Sequence, residues 1–391
     1  MPDHCDLIVI GAGPAGSACA EAAAKSGLRV RVFDRARFPR TKPCAAGLTS
    51  RALELLGDLI DPVIHRRVCT VEMRLTQRVS GTWRSERTVV ATTTRRELDP
   101  FLAGRAKTAG ARVELGRSVF DISAGSDGVE VLSAGERLSA PYAVLADGAA
   151  GRLRARVGLR PLELGGAAYV RLYPGDGRTL GERAEGIVLD AGTRRRGYGW
   201  SFPKNDHINV GVCGLELPGP GYLRDVDRLV EKFGLSSWRS EGPFAGFVPR
   251  ASRPDHHARG RVLAAGDAAG LADPVTGEGI AYAVQSGRIA ASVIADALRA
   301  GAGCAGVDVA GVHRATTATP PDVSTRYRER IAAEILPHLT LLTPLTRRLQ
   351  TVGPGLVGAL LSVRPIAAAV ERWVPQSPYT AGGILTIDVR R

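Results

Sequence analysis

Apolar positions along the chain follow two successive patterns. The first alternates short unbroken runs with helical periods. Leu7, Ile8, Val9 and Ile10 form the kind of run expected of a central parallel strand buried on both faces. An alanine-rich helical segment extends from Pro14 to about Ser26, Gly27 stops it, and Arg29–Phe33 reads as a second strand ending at Asp34. Pro39 and Pro43 hold the next stretch extended, and Thr49 can cap a short helix over Ser50–Leu56. Cys69–Thr76 and Arg84–Thr92 alternate as strands joined through Ser80-Gly81, and Arg95–Thr108 carries one apolar face through Leu98, Phe101, Leu102 and Ala106. A strand at Arg112–Leu115, a small meander over Val119–Leu138 and a buried strand at Tyr142–Ala146 complete this part.

The second pattern begins near Leu162. Ala167–Tyr173, Gly186–Leu189, Gly197–Phe202 and His207–Cys213 read as antiparallel strands, interrupted by one amphipathic helix over about Gly221–Phe233. Arg261–Ala265 returns to an apolar strand that feeds a long helix over about Gly277–Leu298. The tail is expected to be mostly helical, with breaks at Pro320-Pro321, Pro337, Pro344, Pro354 and Pro365.

Chemistry enters at the first strand–helix junction. Gly11, Gly13 and Gly16 stand in G-x-G-x-x-G spacing between strand and helix. The first permits a tight turn, the second a close approach of backbone to a pyrophosphate, and the third close packing of helix on strand. The positive helix end faces the phosphates, and Asp34 stands where a carboxylate accepts hydrogen bonds from an adenosine ribose. A dinucleotide site is the expectation.

Hydrophobic residues make up 44% of the chain and charged residues 23%, and 391 residues suffice for two intertwined domains with sizeable cores. A net charge of +13 fits either a solvated arginine-rich surface or an anionic partner, whether substrate, membrane surface or acidic redox protein. No basic tract is interleaved with aromatics, which argues against nucleic acid. The six cysteines form no C-x-x-C pair, which argues against a disulfide or metal framework and suits a reducing cytosol. No signal-like run precedes the first strand, so a cytoplasmic location is expected. His256-His257 lack further ligand spacing; they are expected in a surface loop, and no metal site is expected. The tail over Leu356–Val370 is apolar but broken by Arg364 and Pro365; a core helix or a lid over an apolar tunnel fits it better than a membrane span. With Arg347, Arg348, Arg364 and Arg372 nearby, it is also a candidate for peripheral membrane contact.

Five motifs in order carry a family resemblance over about the first 300 residues: Gly11-x-Gly13-x-x-Gly16 with Asp34; Lys42-Pro43-Cys44-Ala45-Ala46-Gly47; Arg95-x-x-Leu98-Asp99; Ala146-Asp147-Gly148; and Ala265-Gly266-Asp267 with Pro274–Gly279 behind it. Between the last two lies Gly197-Tyr198-Gly199-Trp200-Ser201-Phe202-Pro203, similar to a Y-x-W-x-F-P strand. The set resembles the geranylgeranyl reductase family of FAD-dependent oxidoreductases, within the aromatic-hydroxylase-like flavoproteins. The resemblance implies an α/β fold: a Rossmann-type FAD-binding domain (1–67, 93–160 and 253–300), an inserted antiparallel-sheet substrate domain (68–92 and 161–252) and a helical C-terminal region (301–391). It implies FAD held by Gly11, Gly13, Pro14, Ala15, Gly16, Asp34, Arg35, Cys44, Ala45, Ala46, Arg95, Asp147, Gly148, Gly266, Asp267, Pro274, Gly277, Glu278, Gly279 and Ile280.

Several residues keep two readings. Asp267 is a ligand of a ribityl hydroxyl or a helix N-cap, and Asp147 is a cofactor residue or part of an ordinary Asp-Gly turn. Cys44 is inert packing, a loop anchor or a group beside the flavin, and Lys42 is a surface lysine or an attractor of an anionic head. Tyr198, Trp200 and Phe202 share one strand face, either as core or as an aromatic wall over the flavin. Cys44, Lys42, Tyr198 and Trp200 are the candidate catalytic residues. Ala45 and Ala46 depart from the family's usual glycines and narrow close backbone approach. The expected activity is hydride transfer from reduced flavin to a C=C bond of a geranylgeranyl or polyprenyl group, with NADPH or a reduced redox protein as electron donor. The alternatives are an FAD-dependent monooxygenase acting on an aromatic or polyketide-type ring and a non-catalytic flavin-containing lipid-binding protein.

Overall fold

Leu7–Ile10 is fully buried and lies at the middle of a six-stranded sheet, as its unbroken apolar run requires. The structure is a computed structural model that describes residues 5–76, 78–175, 179–194, 196–249, 252–274, 276–303, 322–340 and 383–389. Leu7–Ile10 pairs in parallel with Val30–Asp34 on one side and Tyr142–Leu145 on the other. Arg112–Leu115 and Val262–Ala264 extend the parallel set, and Ala258–Arg259 adds one antiparallel edge. The fingerprint helix Pro14–Lys25 packs against the long helix Ile280–Gly303, whose Gly287 leaves no room for a side chain against the Ala15 carbonyl. The meander Val119–Ala124, Val129–Ser133, Glu136–Ala140 forms a separate three-stranded sheet.

The second layer is an eight-stranded sheet ordered Arg239–Pro249, Leu164–Tyr173, Ile208–Gly214, Gly197–Pro203, Gly186–Asp190, Thr70–Arg74, Val79–Ser85, Gly383–Val389. The fold is thus an α/β Rossmann-type domain with an antiparallel-sheet partner. One pair in the second sheet, Gly186–Asp190 with Thr70–Arg74, is parallel.

Four expectations are corrected. Ser80-Gly81 is not a turn but lies inside the strand Val79–Ser85, where bare Gly81 sits beneath Leu385. The stretch read as one strand over Arg84–Thr92 is divided: Val90–Thr92 leaves for a small sheet with Gly47–Thr49 and Arg66–Val68. His256 and His257 are buried, not on a surface loop; the turn at Pro254–His256 carries them inward, and the His257 carbonyl accepts from the Ala264 N–H at 2.7 Å. The C-terminal region is not helical throughout, because Gly383–Val389 is a strand of the large sheet. The apolar stretch at 356–370, its neighbouring arginines and Cys304 lie outside the described residues. Among the described residues no helix is long and apolar enough to cross a membrane.

Candidate cofactor and substrate site

The motifs separated in sequence meet around the N-terminus of the fingerprint helix. Gly11 adopts φ +106°, and a side chain there would overlap the Ala146 carbonyl that precedes Asp147. A methyl at Gly16 would overlap the Gly11 carbonyl, so this glycine is required for packing. Gly13 differs: it is the N-cap, no side chain caps the helix, and its open side faces the guanidinium groups of Arg40 and Arg95. Pro14 and Ala15 form the buried first turn, and bare Gly266 lets the 266–269 turn approach Ala15. Unpaired N–H groups at a helix start, flanked by two guanidinium groups, suit a diphosphate.

Charged side chains tie these pieces together. Asp34 is buried and accepts from the Ala12 N–H at 2.8 Å and the Ala36 N–H at 2.8 Å. Arg40 bridges Asp34 at 3.4 Å and Asp99 at 3.0 Å, and Arg95 forms a bidentate pair with Asp99 at 2.6 and 2.9 Å. Burial opposes charge on Arg95, but Asp99 more than offsets it and the guanidinium stays protonated. Lys42 reaches Asp267 at 3.4 Å and approaches Gly148. Asp267 is not an N-cap: the cap of its short turn is Ala265, with no side-chain bond. Asp147 is pushed up to about 6 by burial, and its Oδ1 has no hydrogen-bond partner among the described residues. A buried orphan acceptor, on a residue whose backbone abuts the Gly11 turn, fits a donor brought by a ligand. Arg35 stays exposed, and its charge favours ionised Asp147.

Residues 276–280 stand on another side. Gly277 lies beside the Tyr198 hydroxyl, which donates to the Thr276 carbonyl. Bare Gly279 faces Asp267, and Ile280 is buried at the start of the long helix. Burial raises the pKa of Glu278, which accepts from the Thr49 hydroxyl at 2.6 Å, the same hydroxyl that caps the Ser50–Leu56 helix.

Between the Lys42–Gly47 loop, the start of the Arg95–Thr108 helix and the large sheet lies a small open cavity. Lys42, Cys44 and Ala46 line it, with Arg95, Arg96, Tyr169, Arg171, Lys204, His207 and Asn209. Its wall holds five lysine or arginine side chains and no carboxylate. Tyr198 and Trp200 do not line it. Trp200 is buried in the sheet core, with its Nε1 donating to Asn209 Oδ1 at 2.8 Å. Phe202 packs over Gly47, where a side chain would crowd its ring.

Sequence reasoning missed Arg40, Tyr169, Arg171, Lys204 and Asn209. The available signal was polarity out of place: Arg171 and Asn209 interrupt otherwise apolar strands, and Lys204 follows the Phe-Pro pair directly. Their partners lie elsewhere in sequence, which no local pattern reports.

Comparison with known proteins bears on the fold and the family. The FAD binding domain family profile matches residues 4–170. A menaquinone reductase of Mycolicibacterium smegmatis is 31% identical over 90% of this chain and 88% of its own. Digeranylgeranylglycerophospholipid reductase 1 of Methanopyrus kandleri is 33% identical over 75% of this chain and 81% of its own. The crystal structure of a geranylgeranyl bacteriochlorophyll reductase-like protein from Thermoplasma acidophilum superposes with a TM-score of 0.76 at 20% identity, covering 96% of this chain and 98% of that one. Sequence relatives, matched domain and shared fold agree: the chain belongs to the geranylgeranyl reductase family of FAD-dependent oxidoreductases.

Proposed function

We propose that this protein is an FAD-dependent reductase that saturates C=C bonds of a prenyl chain carrying an anionic head. The observation that carries the reading is the cavity beside Cys44, bounded by the Lys42–Gly47 loop and lined by five lysine or arginine side chains, with the carboxylates of Asp267, Asp99 and Glu241 standing behind Lys42, Arg95 and Arg171. The two sequence relatives above are named for a menaquinone and a digeranylgeranylglycerophospholipid, whose common part is a prenyl chain. The cationic wall favours a phosphate or diphosphate head over a neutral quinone.

In this reading the first-turn N–H groups after Gly13, together with Arg95, hold the diphosphate of FAD. Asp34 serves the ribose, Asp267 the ribityl chain, and the orphan Oδ1 of Asp147 accepts a cofactor donor. When bound and reduced, FAD supplies a hydride to one alkene carbon, and a proton must reach the other. Cys44, on the cavity wall, is the proposed proton source. Lys42 holds Asp267 and adds positive charge at the mouth. Tyr198 and Trp200 act by position, the first fixing the 276–279 segment and the second bracing Asn209. NADPH or a reduced redox protein supplies the electrons.

The test is anaerobic. Flavin is reduced with dithionite, geranylgeranyl diphosphate or a menaquinone is added, and reoxidation is followed by absorbance and product mass. Reoxidation by the diphosphate, with two mass units gained per bond, supports the proposal in full. A menaquinone that keeps two extra mass units after its ring is reoxidised in air, with no turnover of the diphosphate, keeps the reductase and removes the anionic head. Flavin that stays reduced until air enters moves the assignment to a monooxygenase.

A further inference from the structure

The Lys42–Gly47 loop contains an unusual backbone. Ala46 has φ +51°, in the left-handed region that favours glycine, and its neighbour Ala45 also lacks glycine's freedom. A non-glycine residue persists there only where its surroundings over-determine it. They do so here. Lys204 is 1% exposed, and its Nζ donates to the Ala45 carbonyl at 2.7 Å and the Ala46 carbonyl at 3.2 Å. The Thr93 N–H donates to the same Ala46 carbonyl at 3.0 Å. Asn209 Nδ2 donates to the Cys44 carbonyl at 3.3 Å, while Trp200 fixes that amide from behind. Three consecutive carbonyls are thus drawn toward the large sheet. A trans peptide carries its C=O and N–H on opposite edges, so the Ala45 and Ala46 N–H groups are turned away from it.

We propose that Lys204 is a positioning residue: by bonding the carbonyls of Ala45 and Ala46, it holds Ala46 in the left-handed conformation and presents the Cys44–Ala46 loop to the flavin. A lysine this deeply buried has few other reasons to be there. Its donors go to two backbone carbonyls. Burial pushes its ammonium down to about 7. The neutral amine still has two N–H donors for two carbonyls, so the clamp holds in either charge state. The proposal rests on the reading that this loop adjoins FAD.

The test compares K204M, A46G and the K204M/A46G double variant by FAD titration, flavin absorbance and melting temperature of the apoprotein. Without the clamp Ala46 leaves the left-handed region, and the FAD dissociation constant rises about tenfold, with a shifted flavin band. Glycine needs no clamp, so the double variant recovers most of that affinity and the wild-type spectrum, and A46G alone binds at least as well as wild type. Wild-type affinity and spectrum in K204M overturn the proposal, as does a loss that A46G fails to recover. If K204M does not fold, K204Q and K204Q/A46G make the same comparison, and a double variant no better than its parent counts equally against it. A wild-type protein that binds no FAD would instead overturn the reading of the loop.

Discussion

Asp147 is the residue where stability and cofactor binding pull apart. Its carboxyl is raised from 3.8 to about 6 by burial. Below the unfolded value both states hold the proton; between the two values the folded state binds more protons than the unfolded chain. Its stabilising contribution is therefore complete below about pH 4 and is lost as pH rises through about 6. At pH 7.5 the buried carboxylate costs the apoprotein up to about 3 kcal/mol, since one pKa unit is worth about 1.4 kcal/mol. D147N should therefore melt higher than wild type at pH 7.5, lose that pH slope in denaturant titrations, and bind FAD more weakly by calorimetry. A variant weaker in both respects would mean that Asp147 already has the partner it needs. The Asp-Gly pair was visible in the sequence, but a turn residue and an orphan acceptor look alike there; only the packing of the carboxylate against bare Gly151, and of the Ala146–Asp147 backbone against Gly11, separates them.

At the scale of elements, the fingerprint was legible because strand, glycines and helix are adjacent in sequence and each obeys a local rule. Pro14–Lys25, Val30–Asp34 and the Thr49 cap lie close to where periodicity and capping chemistry put them. The two interior glycines have separable roles. A side chain at Gly16 collides with backbone, whereas one at Gly13 meets only the ends of Arg40 and Arg95 at 3.4 and 3.5 Å, with an ordinary φ of −75°. G16A should cost about 3 kcal/mol or more by overpacking, read from urea unfolding. G13A should unfold like wild type yet lose FAD in a retention assay, and equal loss of stability in both variants would refute the distinction. The aromatic strand was harder to read. Alternation put Tyr198, Trp200 and Phe202 on one face correctly, but not which of them reach a cavity. Trp200 spends its indole N–H on Asn209, a partner across the strand pair that the sequence gives no reason to choose.

Across the whole molecule, the large sheet is built from segments at 70–85, 164–249 and 383–389. The change of pattern near Leu162 announced the middle segment. The last could not be read, because seven residues of alternating character signal a strand only once an edge is available to pair with them. Gly383–Val389 closes that edge, burying Leu385 and Ile387 against the cluster that holds Trp83 and Trp200. L385A should cost about 2–5 kcal/mol, as buried leucine truncations do. Thermal unfolding would check this, and a shift below a degree would show the strand to be dispensable.

The pairing of Gly383–Val389 with Val79–Ser85 joins residues some 300 positions apart. During synthesis Val79–Ser85 must therefore wait, one side unmatched, while nearly all the intervening chain emerges. Throughout that interval its free N–H and C=O groups offer a template to any neighbouring nascent chain. The feature that completes the sheet in the finished protein thus makes its biogenesis a matter of timing, and crowding on the ribosome should reduce the yield of soluble protein more than the melting temperature of the folded chain would suggest.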